Sequence, residues 1–157
     1  MKSLSNIGLP VEASQNIAAE LNDLLANYQI VYMNLRGFHW NIKGKHFFEL
    51  HLKFEELYND ALLKIDEVAE RVLTLGKTPL HSFSEYIAHS QVKAVENVND
   101  GSTAIAHILD GLAILLQKER SILDIASTAN DEGTVALMSD YISQQEKLVW
   151  MLSAYNN

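Results

Sequence analysis

The chain has 157 residues, of which 48 % are apolar, and it carries a formal net charge of −8. A chain of this length can bury a sizeable core, so we expect one domain covering residues 1–157. The absence of cysteine excludes disulfides, thiolate metal sites and a cysteine nucleophile, which leaves His, Asp, Glu or water to hold any metal. No segment has the pattern of a signal peptide or a membrane span, which predicts a soluble, cytoplasmic protein.

Apolar residues that recur at three- and four-residue steps predict four long helices. Their expected bounds are residues 14–40, 47–75, 100–126 and 130 to the carboxyl end. Gly44 and Gly76 mark the ends of the first two helices. Between the second and third helices, Ser82-Phe-Ser-Glu resembles a capping box that opens a short helix. No segment alternates with a period of two, so we expect an all-α bundle with a long crossover connection.

The second predicted helix carries two polar pairs at i, i+4 spacing: a histidine pair, His51 with Glu55, and an acid pair, Asp66 with Glu70. The members of each pair share one helix face. Imidazole and carboxylate ligands together suit iron, manganese or zinc. His51 and Asp66 are fifteen residues apart, about 22 Å along the helix axis, whereas metal–ligand bonds measure about 2 Å. One ion therefore cannot use both pairs of the same chain.

A symmetric dimer would bring the histidine pair of one chain close to the acid pair of the other. Both pairs point to much the same side of the helix, because Glu55 and Asp66 are about three full turns apart. An antiparallel copy of the helix, related by a two-fold axis near Asp60, would place each histidine pair opposite the acid pair of the other chain. His39, at the end of the first helix, could join the site across the turn at Gly44. No Glu is followed three residues later by His, so the motif of a single-chain di-iron bundle is missing.

These motifs resemble those of the Dps family of mini-ferritins, whose name means DNA-binding protein from starved cells. The resemblance extends over nearly the whole chain and rests on His39-Trp40, Gly44, Phe47-Phe48, His51, the segment IDEVAERV with Asp66 and Glu70, and Trp150. It implies an all-α, ferritin-like four-helix bundle with a short helix in the central crossover, assembling into a hollow dodecamer. It also implies iron storage and detoxification: a ferroxidase oxidises Fe(II), preferably with hydrogen peroxide, and ferric oxide is stored in the cage.

By the same resemblance, dinuclear iron sites lie at the two-fold interfaces. The implied ligands are His39 and His51 of one subunit together with the acid pair, Asp66 and Glu70, of its neighbour. Glu55 stands where many family members have Asp, so it is expected to be a further ligand with a longer side chain.

Each of these assignments has a structural alternative. The histidines could be ordinary structural residues, and the acid pair could form a solvated helix face that is ion-paired to Lys64 and Arg71. We hypothesise that Trp40, beside the site, scavenges stray oxidising equivalents; a packing role is its alternative.

Charged residues elsewhere suggest contacts and pores. We expect Tyr58, Asp60 and Lys64 to line the two-fold contact, unless they are simple surface. Acidic residues near or in the fourth helix could form three-fold pores that draw Fe(II) inward, and the candidates are Asp131, Glu132 and Asp140. The alternative is that the first two of these only cap the helix.

DNA binding is predicted to be weak or absent near neutral pH and physiological salt. It requires Lys or Arg contacts that release counterions, yet Lys2 is the one basic residue among the first ten and none follows Lys147. Two other functions stay open: a DNA-compacting stress-protection protein with secondary iron chemistry, and a conventional ferritin or haem-binding bacterioferritin. The scarcity of terminal basic residues disfavours the first, and the missing Glu-x-x-His motifs disfavour the second.

Overall fold

The computed structural model describes residues 3–157, and five helices account for most of that range. Their bounds are α1 Val11–Asn41, α2 Phe47–Thr74, α3 Phe83–His89, α4 Gly101–Thr128 and α5 Glu132–Asn156. In this range no strand forms apart from one isolated bridge between Leu4 and Pro10. The predicted bounds of the four long helices are confirmed to within three residues, and α3 is the short helix that the capping box indicated.

The helices pack as two pairs around a common apolar core. α1 packs along α2, α4 packs along α5, and α1 also contacts α4 and α3. Most of the apolar residues that recur at three- and four-residue steps are buried between the helices, among them Leu21, Leu24, Phe54, Val68, Ile105, Leu115, Ile122 and Met138. Within the 3–157 range, no helix combines the length and the apolarity that a membrane span needs.

The turn between α1 and α2 reverses the chain over a few residues. Gly44 has a φ of +109°, a conformation that residues with a side chain rarely adopt. The turn is tied to the end of the crossover, because the Lys43 amide donates to the Asn99 carbonyl at 2.9 Å. As a result, the last turn of α1 lies against the first turns of α2.

Three asparagines on α1 hold the crossover that links α2 to α4. Their side chains bond to backbone groups of a segment that has only the short α3 helix of its own. The bonded pairs are Asn22 with Leu80 at 2.8 Å, Asn27 with Gln91 at 2.8 Å and Val92 at 3.1 Å, and Asn34 with Val95 at 2.9 Å. These bonds satisfy backbone amides that no helix or strand pairs, and they fix the crossover along α1.

A polar cluster lies between the four long helices, within the apolar interior of the bundle. It takes one buried residue from each long helix: Tyr28 of α1, Lys64 of α2, Glu119 of α4 and Gln145 of α5. The Tyr28 hydroxyl donates to Glu119 and accepts from Gln145 Nε2, the latter at 2.6 Å. We call these four residues the interior cluster.

The position of Lys64 corrects one expectation, because this residue does not line a surface contact. Its side chain turns into the bundle and is only 4 % exposed. Nζ donates to Asp60 at 2.6 Å and to Gln144 at 2.8 Å, and it lies 5.2 Å from the centre of the Tyr141 ring. These contacts within the chain compensate the loss of solvent around the ammonium group. The placement of Tyr58 and Asp60 at a two-fold contact stays a prediction.

Candidate metal centre

The two histidines predicted as ligands lie face to face. His39 belongs to the last turn of α1 and His51 to the second turn of α2. Their rings are parallel to within 12°, with centroids 3.8 Å apart. His39 Nδ1 lies 2.6 Å from the backbone oxygen of His51, and His51 Nδ1 lies 2.7 Å from the backbone oxygen of His39. The structure thus brings together the residues on either side of the Gly44 turn.

The reciprocal hydrogen bonds determine which nitrogen of each ring is free. A backbone oxygen only accepts hydrogen bonds, so the Nδ1 atom of both rings must carry the hydrogen. In a neutral imidazole, Nε2 then keeps its lone pair, which is the form that binds a metal ion. His39 is buried, so its ring is held in this orientation by packing as well. Both histidines are therefore set up to bind a metal through Nε2.

A carboxylate faces the free nitrogen of His39. Glu55 lies one helical turn after His51, and its Oε1 atom is 3.8 Å from His39 Nε2. Two metal–ligand bonds of about 2.1 Å at an open angle span such a separation. Aromatic rings enclose the histidines: Phe47 stacks on His51 at 4.9 Å, and Tyr58 meets His39 edge-on at 5.4 Å. We call His39, His51 and Glu55 the histidine half-site.

The acid pair has no partner of its own. Asp66 and Glu70 are exposed on α2, and their carboxylates make no hydrogen bond or ion pair with any residue in the 3–157 range. The alternative interpretation, in which they are ion-paired to Lys64 and Arg71, is wrong. Lys64 donates to Asp60 instead, and Arg71 pairs with Asp131 at 2.6 Å. The acid pair is thus a pair of free carboxylates on an outer helix face.

A single chain does not assemble a complete centre from these parts. Among the residues that the structure describes, no three His, Asp or Glu side chains are arranged to hold a metal ion. His51 of the histidine half-site and Asp66 of the acid pair lie on the same helix, about 22 Å apart along its axis, as the helical rise requires. The chain therefore presents two separate sets of candidate ligands.

Trp40 follows His39 in the sequence but lies in a different environment. It is 57 % exposed, and the Arg36 guanidinium stacks on its ring at 4.7 Å. Its scavenging role stays a prediction. Sequence reasoning did not single out Arg36 or Tyr32, although their i, i+4 spacing with each other and with Trp40 was a signal that the three share one helix face.

Among the acidic residues proposed for a pore, Asp131 is the one for which that interpretation is wrong. Its side chain is 1 % exposed. It caps α5 by accepting from the Thr134 amide at 3.1 Å, and it also accepts from Arg71 at 2.6 Å. Gly133 makes room for this pair, because a Cβ atom there would lie 2.7 Å from the guanidinium nitrogens. The capping alternative is confirmed for Asp131, whereas Glu132 and Asp140 are exposed and stay candidates.

Comparison with known proteins identifies the family. A family model described as a ferritin-like domain matches residues 18–157. The crystal structure of a Dps protein from Vibrio cholerae O1 matches with a TM-score of 0.98 and 55 % sequence identity, covering 100 % of this chain and 99 % of that one. The chain belongs to the Dps family. The Vibrio cholerae protein is described as a member of a broad superfamily of ferritin-like diiron-carboxylate proteins.

More distant Dps proteins agree over nearly the full length. The DNA protection during starvation protein of Porphyromonas gingivalis is 47 % identical over 154 residues, which is 98 % of this chain and 97 % of the relative. The crystal structure of a Dps protein from Bacillus brevis matches with a TM-score of 0.89 and 33 % identity, over 93 % of this chain and 98 % of that one. Membership of the Dps family supports a function in iron storage or DNA protection and implies iron binding with ferroxidase-type chemistry.

Proposed function

We propose that this Dps protein is a ferroxidase and iron store whose catalytic centre forms between two subunits. The observation that carries the proposal is the locked histidine pair, in which both Nδ1 atoms are bound to backbone oxygens and both Nε2 atoms are free. A metal ion bound there needs further oxygen ligands, and the acid pair offers two exposed carboxylates that make no hydrogen bond or ion pair within residues 3–157. We take residues 1–157 as one domain and the assembly as a hollow dodecamer with these centres on its two-fold axes.

The proposed ligands divide between the subunits as the helix geometry requires. One subunit supplies the histidine half-site, His39, His51 and Glu55. The neighbouring subunit supplies Asp66 and Glu70. Histidine nitrogens suit Fe(II), and hard carboxylate oxygens favour the higher charge of Fe(III), so this mixed set would bind the ferrous substrate and stabilise the ferric product.

The protective chemistry follows from counting electrons. Two Fe(II) ions held together give one electron each to hydrogen peroxide, which takes up two protons and becomes two molecules of water. A lone Fe(II) ion gives only one electron, and the peroxide then splits into hydroxide and a hydroxyl radical. A paired site with peroxide as oxidant would therefore remove both reagents of the damaging reaction, and the cage would store the ferric oxide.

Subunit complementation tests whether the centre is shared. The His39→Ala/His51→Ala variant and the Asp66→Ala/Glu70→Ala variant should each lose fast ferric absorbance after anaerobic Fe(II) loading and peroxide addition. Assembling the two variants together at equal amounts should restore about a quarter of the wild-type activity, because half of the dimers are mixed and each mixed dimer has one intact site.

The control is His81→Ala/His89→Ala, which removes two exposed histidines outside the half-site and should keep wild-type activity. Oxidation at the wild-type rate in His39→Ala/His51→Ala would show that the proposed ligands are wrong. Inactive single variants without recovery in the mixture would show that the centre lies within one chain.

We further propose that protection of DNA by this chain would come from removing Fe(II) and peroxide rather than from contact. The formal net charge of −8 per chain would make a symmetric cage strongly anionic and would repel phosphates. A gel-shift titration with duplex DNA at neutral pH and physiological salt should give no tight complex. Tight binding under those conditions would instead favour DNA compaction as the main function.

A further inference from the structure

A group of oxidisable side chains adjoins the histidine half-site. The Tyr58 ring meets the His39 ring edge-on with centroids 5.4 Å apart, and Tyr32 lies behind it at 6.0 Å. The Arg36 guanidinium lies 5.6 Å from the centre of the Tyr32 ring and 5.7 Å from that of Tyr58. Tyr32 is on α1 and Tyr58 is on α2, the two helices that carry the histidines. The rings form a continuous path that leads away from His39.

We propose that Tyr58, backed by Tyr32, is the first electron donor to one-electron oxidants that escape the paired reaction at this centre. The proposal rests on the proposed function, because iron and peroxide supply the oxidant. Tyr58 is the oxidisable side chain whose ring contacts a candidate ligand directly. It would act as a protective residue beside the ligands and would not be a ligand itself.

The surroundings of Trp40 make it a poorer donor than Tyr58. Removing an electron from an indole leaves a positive charge on the ring, and the Arg36 guanidinium already lies 4.7 Å from that ring. Two positive charges so close repel each other, and the favourable cation–π contact is lost. A tyrosine loses its phenolic proton together with the electron and becomes a neutral radical, so the same guanidinium opposes its oxidation less.

The steps balance with the reagents of the proposed reaction. A single Fe(II) and hydrogen peroxide give Fe(III), hydroxide and a hydroxyl radical. The hydroxyl radical takes one electron and one proton from the Tyr58 hydroxyl, which yields water and a neutral tyrosyl radical. An electron and a proton from Tyr32 restore Tyr58 and move the radical farther from the ligands. A later Fe(II), with one proton from water, reduces the radical and becomes Fe(III).

Electron paramagnetic resonance on rapidly frozen samples tests the proposal. The assembled protein is loaded anaerobically with Fe(II) at less than one ion per site, mixed with peroxide and frozen, and the radical signal is normalised to the ferric iron formed. The wild type should show a tyrosyl signal. Tyr58→Phe keeps the ring beside His39 and should reduce that signal several-fold, while a spin trap should capture several-fold more hydroxyl radical.

Two matched variants complete the experiment. Trp40→Phe should keep the tyrosyl signal, and so should Tyr155→Phe, since that ring packs against His46 rather than a candidate ligand. The proposal is overturned if Tyr58→Phe retains the full signal, if Trp40→Phe abolishes it, or if the wild type oxidises iron without forming a tyrosyl radical. If the wild type left Fe(II) unoxidised, the result would contradict the proposed function, on which this proposal rests.

Discussion

The bundle interior and the outer face of α1 and α2 differ in how their polar groups are satisfied. In the interior cluster, Tyr28, Glu119 and Gln145 bond to one another, and Lys64 brings a positive charge held by its own acceptors. On the outer face, the histidine half-site keeps its Nε2 atoms free and the acid pair has no partner. The hydrogen bonds of the first region lie within one chain and leave only Glu119 Oε1 and Gln145 Oε1 without a partner among its side-chain atoms in the described range. The second region lacks what a neighbouring chain and a metal ion would supply.

The contrast explains why the interior should not bind iron. Di-iron proteins of the ferritin-like class place their metal inside the bundle, between carboxylates and histidines from four helices. Here the four helices contribute a tyrosine, an ammonium group, one carboxyl group and an amide to that space. Tyr28, Lys64 and Gln145 border a cavity of about 30 Å³, which has room for water. A protein cation already occupies the region, so a metal ion would meet repulsion there.

Neutralising the acid pair should give the largest effect. In Asp66→Asn/Glu70→Gln, each site loses two of its three proposed carboxylate ligands, so the rate of peroxide-dependent Fe(II) oxidation should fall at least about 100-fold. The unfolding free energy without iron should change by less than about 0.5 kcal/mol, because both side chains are exposed and unpaired. Stopped-flow absorbance and urea unfolding measure the two quantities.

The matched control is Glu56→Gln, which removes an exposed carboxylate from the same helix and should leave the rate unchanged. Its carboxylate pairs only with Lys53, at 3.3 Å. If the acid-pair variant were active but unstable, the acid pair would contribute to stability and not to iron oxidation, which would contradict the proposal.

The outer face was largely predictable from the sequence, because its geometry depends on positions within one helix and across one short turn. The rise of a helix is fixed, so the spacing of His51 and Asp66 in the sequence already gives their separation in space. The helices were predictable for the same reason, since apolar spacing reports directly on which face is buried. The contact between His39 and His51 needed only a short turn, which Gly44 marked.

The interior was not predictable, because it depends on partners far apart in the chain. Lys64 looked like a surface residue until the acceptor on α5, Gln144, was known. Asp131 looked exposed because nothing in its own segment indicated that Arg71, sixty residues earlier, would reach it. Asn27 bonds to the crossover more than sixty residues later. Spacing within one helix carries no information about such long-range pairs.

The interior cluster should make stability depend on pH. Burial raises the pKa of Glu119 from 4.5 to about 7, against the lowering effect of hydrogen bonds from Tyr28 and Gln145 and of the charges on Lys64 and Arg120. Since the folded state holds this proton more tightly, its stabilising effect is complete below pH 4.5 and is lost as the pH rises towards 7. The loss should amount to about 2–3 kcal/mol.

Glu119→Gln isolates this contribution, because an amide of the same shape cannot ionise. The unfolding free energy of this variant, relative to the wild type, should rise by about 2–3 kcal/mol between pH 4.5 and pH 8. Urea titrations at constant ionic strength measure the difference. Glu146→Gln, at an exposed ion pair with Arg120, is the control and should follow the wild-type curve. If the unfolding free energies of Glu119→Gln and the wild type changed in parallel with pH, the raised pKa assigned to Glu119 would be contradicted.

Tyr28→Phe should have the smallest effect and tests whether the two regions are independent. The substitution removes the hydroxyl between Glu119 and Gln145 but keeps the ring, which meets Tyr141 edge-on with centroids 6.1 Å apart. Gln145 also donates to Glu119 directly at 3.2 Å, so the carboxyl group keeps a donor and the loss should be about 1–2 kcal/mol.

Iron oxidation by Tyr28→Phe should stay at the wild-type rate, because no hydrogen bond in the described range links the interior cluster to His39 or His51. The denaturation midpoint should fall. The slope of the unfolding free energy against denaturant concentration should stay constant, since the surface exposed on unfolding is the same. A large drop in oxidation rate at equal stability would show that the interior cluster acts on the metal centre. In that case the two regions would be coupled through α1, which carries both Tyr28 and His39 and packs against α2.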